Sequence, residues 1–235
     1  VDDGAGTIDR AARRDGESAG AGAARGAARG AAHDATHSAT HGARATVQGR
    51  SAQRQRAMVE AAAHLLIAEG FGAVTHRQVA RAAGVPQGSA SYYFPTSASL
   101  VSTAVEAAED VRATAAQERA DALSREPRSS AATARELIET LYAPHVDDTV
   151  VDVRLDPMLT AMRDPALRPI MRASRPRLLA AAQTVLDASG HAHVTDVDLV
   201  AHVVDAALLS AAAAEDGRVL DHATETVARF LDHWH

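Results

Sequence analysis

The stretch THRQVARAAGVPQGSASYYF, residues 75–94, constrains the fold of this chain more than any other. Thr75 has the side chain of a helix cap, and the helix it opens turns Val79, Ala80 and Ala83 inward. Gly84 supplies the left-handed conformation that ends such a helix. Val85 then drops into the crease, and Pro86 suits the turn or the first position of a second helix. Counting His76 as the first position, small or apolar residues recur at four, five, eight, ten, fifteen and eighteen, with glycine at nine. Two short helices crossing steeply need that spacing: small side chains where backbones meet, a glycine turn, and apolar contacts on both facing sides. The pattern is a helix-turn-helix, whose second helix is free to enter a DNA major groove.

The remaining residues are expected to complete that core with helices. Aromatic residues make up 3% of the chain and alanine dominates, so the core has to come from closely packed Ala, Val and Leu. The only strand-like run is the short piece around Val150 to Val153. An all-α fold of about nine helices is therefore predicted. Helix 1 is expected over 51–69, with Met58, Ala61, Ala62, Leu65 and Leu66 as its stripe and Gly70 as its stop. Phe71 and Val74 should anchor the link to the helix-turn-helix, and Thr96 or Ser97 should cap a long helix over 98–124. Further helices are expected over 130–142, 146–163 (Val153, Met158, Leu159 and Met162 inward), 164–188, 196–215 behind a Thr195 cap, and 219–234. This organisation implies a tail over 1–49, a DNA-binding head over 50–110, and a helical effector-binding and dimerisation body over 111–235.

Residues 1–49 are low in complexity, with almost no large apolar side chain, and are expected to be disordered. Their arginines would add at most a weak, salt-sensitive DNA contact. Val1 and Val47 each fit a GTG start codon, so intact mass decides whether this tail is made. The chain has no cysteine, which rules out disulfides and thiolate metal sites. No apolar run approaches about 18 residues, so no membrane span is expected and the cytoplasm is the expected location. Every basic residue is arginine. Residues 1–100 hold 11 Arg against 8 Asp and Glu, whereas residues 101–235 hold 13 against 22, giving +3 and −9. That asymmetry suits a DNA-facing head on a body that DNA does not touch.

Residues 51–110 resemble the tetracycline-repressor (TetR) family of bacterial one-component transcription regulators. The resemblance rests on G-F at 70–71, T-x-x-x-V-A at 75–80, A-G-V at 83–85 and Y-Y-F at 92–94. Beyond 110 it extends to the family's layout, an all-helical body ending in a dimerising helix pair, and to the run DPALRPIMR at 164–172. The resemblance implies that Thr75 caps helix 2 and offers its hydroxyl to a phosphate, and that Arg77 reaches backbone or base edges. Gln87, Ser89, Ala90 and Ser91 would face the groove, with Gln87 the best base reader because its amide pairs bidentately with adenine. Tyr92 and Tyr93 would direct hydroxyls at phosphates, and Phe94 would pack the head on helix 4. Ser97 stands where the family usually has lysine, and Ser91 where tyrosine is common. Both changes weaken backbone anchoring, which Arg50, Arg54 and Arg56 are placed to offset. The small Ser89-Ala90-Ser91 surface leaves room for readout through DNA shape.

The body adds two expectations. Tyr142, Met158, Met162 and Met171 are candidates to line a pliable pocket for a small-molecule effector, and its poverty in aromatics favours an aliphatic or compact ligand. Leu199, Val203, Ala206, Ala207 and Ser210, with Val227, Phe230, Leu231 and Trp234, make the last two helices too apolar for a free surface. A two-fold four-helix contact between copies would bury them as a homodimer. Asp147, Asp148, Asp152 and Asp156 read as a solvated acidic helix face. His33, His37 and His41 recur at helical spacing, but in an Ala/Gly tract that cannot hold metal geometry, so neither a metal nor a cofactor is expected. No G-x-S-x-G, P-loop, H-E-x-x-H or dinucleotide turn occurs, so no enzyme activity is expected. The resulting expectation is a homodimeric regulator, with repression of a double-stranded operator relieved by an effector. Two other readings stay open: an architectural or partner-regulated DNA-binding protein, and a small-molecule binding module whose head has lost DNA affinity.

Overall fold

In the computed structural model of the protein, residues 49–214 and 216–234 are described, and all their regular structure is helical. The tail expectation lies outside them. Residues 49–69 are helical (α1), and one packed unit comprises Arg54–His235. Met58, Ala62, Leu65 and Leu66 are buried as the stripe predicts, joined by Ala63 and Ile67. Gly70, at φ 77°, ends the helix before a 3-10 turn at Phe71–Ala73.

Thr75 caps α2 (His76–Ala82) by accepting from the Gln78 amide at 3.2 Å. The turn closes as a Schellman motif: Val85 N–H donates to the Ala80 carbonyl and Gly84 N–H to that of Arg81, with Gly84 at φ 65°. Helix α3 (Gln87–Tyr93) follows Pro86. Helix α4 (Ser97–Asp121) opens on a reciprocal capping box between Thr96 and Ser99.

The body contains α5 (Ser130–Leu141), a π-turn at Val151–Leu155 running into α6 (Asp156–Arg163), α7 (Arg168–Ala188), α8 (Val197–Ala212) and α9 (Val219–Asp232). That makes nine α-helices among the described residues. Helix α7 carries Pro176 in its interior, so the Arg172 carbonyl lacks its usual helical donor.

Several local expectations are corrected. The segment expected as one helix over 146–163 instead begins in turns and passes through the π-turn. Val150, Arg154, Leu155 and Ala161 are buried, Met158 and Leu159 pack half-buried against the body's cluster as expected, Val153 is half-buried, and Met162 is exposed. The cap of α8 is Asp196, whose carboxylate accepts from Leu199 N–H at 3.0 Å, rather than Thr195. Asp148 does not belong to a solvated helix face: it accepts from Leu220 N–H at 2.8 Å and caps α9 from 72 residues away.

Two hydrophobic clusters organise the unit, and α4 runs through both. Leu100, Ala104, Val105 and Ala108 pack with Val79, Ala90 and Phe94 of the head. Ala116 and Ala120 pack with α5, α7, α8 and α9. Between these two stretches of α4 lie Glu109 and Arg112, both buried. Ala161 and Leu167, at the α6–α7 corner, belong to the head's cluster rather than to the body's.

Candidate nucleic-acid interface and ligand cavity

In the head, the core beneath α2 and α3 holds Val79, Ala80 and Ala90, all essentially inaccessible. Ala90, expected to face the groove, is therefore a core residue. On a seven-residue helix whose Ser91 and Tyr92 point outward, the opposite face has to meet α2, and only a small side chain fits there. A histidine ties the pair together at its far ends: His76 Nε2–H donates to the Phe94 carbonyl at 2.7 Å. That bond joins the start of α2 to the end of α3, and sequence spacing gave no sign of it.

The outward surface holds Thr75, Arg77, Gln87, Ser91, Tyr92 and Ser97, with Ser89 and Tyr93 half-buried and Arg54 exposed on α1. Tyr92 is 80% exposed and meets the Tyr93 ring edge-on at 5.2 Å. An aromatic phenol so exposed gains nothing from its own chain's core and is available to a partner. The Thr75 hydroxyl donates to Gln78 Oε1 at 2.9 Å while it caps α2, so it reaches a phosphate only by exchanging that bond.

A cavity of about 410 Å³ opens between α4, α6 and α7. Met158, Met162, Met171 and Leu178 form its apolar wall, so three of the four expected pocket residues are brought together. Tyr142 is not among them. It is buried, donates its hydroxyl to Asp205 at 2.7 Å, and borders a separate hollow of about 40 Å³. Burial and the Asp205 charge both raise the Tyr142 phenol, so it stays a neutral donor; burial also raises Asp205.

Sequence reasoning missed the polar half of the cavity. Arg154, Arg163, Arg168, Arg172 and Arg175 all line it, with Glu109 as the one carboxylate on its wall. Arg154 is buried and grips Glu109 with both ends of its guanidinium, at 3.1 and 3.4 Å. Arg112 donates to the same carboxylate at 2.9 Å, and the Ser174 hydroxyl at 2.8 Å. Burial pushes the Glu109 carboxyl up, but Arg154, Arg112 and Ser174 together hold it below its ordinary value. Arg112 is pulled down to about 10, by burial first and then by Arg154, and remains charged at neutral pH. The only early signal was an arginine at 154 between Val153 and Leu155, which periodicity alone cannot distinguish from an exposed position.

On α8, Leu199 is 42% exposed with Val203 half-buried one turn on, and Leu209 is 44% exposed off that stripe. Phe230 and Trp234 meet edge-to-face at 5.2 Å and are half-buried. Ala207, Val227 and Leu231, expected in the same outward face, are instead core residues. Leu199, Val203, Ala206 and Ser210 follow one another along one stripe of α8, whereas Ala207 lies a residue off it with Val200, Val204 and Leu208.

Among the described residues no three His, Cys, Asp or Glu side chains converge as metal ligands, and no helix is long and apolar enough to cross a membrane. The His33, His37 and His41 repeat lies outside the described residues.

Residues 58–104 match the family model described as bacterial regulatory proteins, tetR family. Among solved structures, the multidrug binding protein EbrR in complex with proflavin is 27% identical, with a TM-score of 0.54 over 75% of this chain and 98% of that one. EbrR complexed with ethidium gives 25% identity and a TM-score of 0.52 over 75% and 97%. A Mesorhizobium loti protein assigned to the TetR family shares the fold at 20% identity, with a TM-score of 0.55 over 78% and 97%. No curated protein sequence gives a significant match. The matched head, the shared fold and the helix-turn-helix geometry agree: residues 58–104 form a head of the tetR type, and the chain as a whole is similar in fold to these proteins.

Proposed function

We propose that the protein is a homodimeric cytoplasmic transcriptional regulator that represses from a double-stranded DNA operator and is released by a small-molecule effector. The observation that carries this reading is α3, which buries only Ala90 and presents Gln87, Ser91 and Tyr92 to solvent. A helix that buries so little of itself is built to meet something other than its own chain. Arg54, Thr75, Arg77 and Ser97 are exposed on the same head, with Ser89 and Tyr93 half-buried. Residues 50–100 carry five Arg against Glu60 and Glu69, the sign that a phosphate backbone requires. Two such heads about 34 Å apart engage successive major grooves. The exposed stripe of α8 at Leu199 and Val203, with Phe230 and Trp234 of α9, is the surface for that pairing.

The response to an effector has a structural route. Met171 lines the cavity and also packs against the head's cluster, to which Ala161 and Leu167 belong. An occupant that moves α6 or the start of α7 therefore moves a wall of the head. Its effect on DNA is limited to the difference in its affinity for the two arrangements. The EbrR complexes support the idea that such a body takes small molecules.

Fluorescence anisotropy with the DNA upstream of the coding region, against scrambled DNA and excess competitor, tests the reading. Selective binding that is lost in an Arg77→Ala, Tyr92→Ala double variant is the expected result. Equal binding to both DNAs, unchanged in the variant, would remove sequence-selective regulation.

A further inference from the structure

The cavity carries a charge opposite to that expected for the cationic dyes proflavin and ethidium. Its wall holds five arginines and one carboxylate, and that carboxylate is already committed. Glu109 accepts from Arg112 and Arg154 on one oxygen and from Ser174 and Arg154 on the other. A cation entering the cavity finds no free acceptor on Glu109. Within the buried cluster, one carboxylate faces two guanidiniums, each side chain no more than 5% exposed, so one positive charge is left uncompensated. Nε and Nη2 of Arg112, which stands behind the cavity wall, are buried without an acceptor among the described residues, so Glu109 does not satisfy its two arginines fully. Buried charge without a counter-charge is costly, and an incoming anion relieves that cost.

The other arginines grade outward. Arg175 is tied to Asp198 at 2.8 Å, and Arg168 donates to the Met162 carbonyl at 3.0 Å. Arg163 and Arg172 are exposed and have no carboxylate partner among the described residues. A deep arginine beside a thioether-lined wall, under a rim of unpaired arginines, matches a ligand with an anionic head and an apolar tail. No aromatic ring lines the cavity, so nothing there stacks on a planar molecule.

Resting on the ligand-responsive reading above, we propose that this cavity binds an aliphatic carboxylate. Its carboxylate lies against Arg154 and its tail along Met158, Met162, Met171 and Leu178. Because Arg154 already grips Glu109 with both ends, it is the uncompensated charge of the cluster that suits a carboxylate head, and the flexible methionines suit an unbranched tail. Arg163 and Arg172 draw the anion to the mouth.

Three probes sharing one tail test the charge preference by calorimetry: decanoate, 1-decanol and decyltrimethylammonium, with the full chain. Decanoate should bind about tenfold or more tighter than decanol, and the ammonium weakest of the three. Arg154→Gln should cut decanoate binding by about tenfold while leaving decanol within about twofold. Should that variant fail to fold, Arg172→Gln, at an exposed position, should still weaken decanoate and leave decanol unchanged. Tightest binding of the ammonium, equal binding of all three, or no binding of any would overturn the proposal. The effect of decanoate on the operator complex is read separately. Preferred binding without DNA release leaves the anion site standing and removes the effector reading. DNA release by the ammonium alone does the reverse.

Discussion

At the scale of single residues, Glu109 does the most for the interior of the body. It stands on α4 between the head's apolar cluster and the body's, and it holds together two arginines that would otherwise repel one another. Glu109→Gln keeps the shape and removes the charge, leaving Arg112 and Arg154 buried and unbalanced. Urea denaturation at neutral pH should show a loss of about 3–5 kcal/mol, and an unchanged midpoint would refute this account. The pH dependence follows from the direction of its shift. The folded carboxyl titrates below its ordinary 4.5, so its contribution is complete above that value and is lost as pH falls through the folded one. The gap between parent and variant should therefore narrow in acid. None of this was legible in the sequence, where Glu109 and Arg112 look like an ordinary i, i+3 surface pair.

At the scale of elements, sequence and structure agree best where a helix ends. Thr75, Gly70, Gly84 and Thr96 act as their chemistry predicts, because capping and left-handed turns are decided within a few residues. Nothing crowds a Cβ at Gly84, so Gly84→Ala tests the backbone alone: at φ 65° it should cost about 1–2 kcal/mol in thermal denaturation. A cost near zero would mean that the turn does not need glycine. Agreement fails where the partner is remote. The α9 N-terminus has no cap of its own and takes Asp148 instead. Asp148→Ala should cost about 1 kcal/mol and raise hydrogen exchange at the first turn of α9 first. If exchange there is unaffected, that bond contributes nothing. The π-turn at Val151–Leu155 escaped prediction because its sequence, VDVRL, reads equally well as plain helix.

At the scale of the whole molecule, the apolar surplus of the last two helices divides into two uses. Ala207, Val227 and Leu231 are spent inside the chain, leaving Leu199, Val203 and Leu209 outward. Sedimentation velocity should show Leu199→Glu as a folded monomer where the parent is a dimer, whereas Ala207→Glu should not fold. A Leu199→Glu variant that still sediments as a dimer would place the contact elsewhere. By itself, the sequence determined the helical class, the helix-turn-helix and most helix termini. Those follow from periodicity, alanine content and cap chemistry, which act over distances of one or two turns. Only the tertiary structure decided that Ala90 is core, that Arg154 and Glu109 are buried together, and that the methionine cavity is walled by arginine. These depend on which face meets a neighbour brought in from dozens of residues away, and an arginine's spacing is the same whether it ends in water or in a buried ion pair.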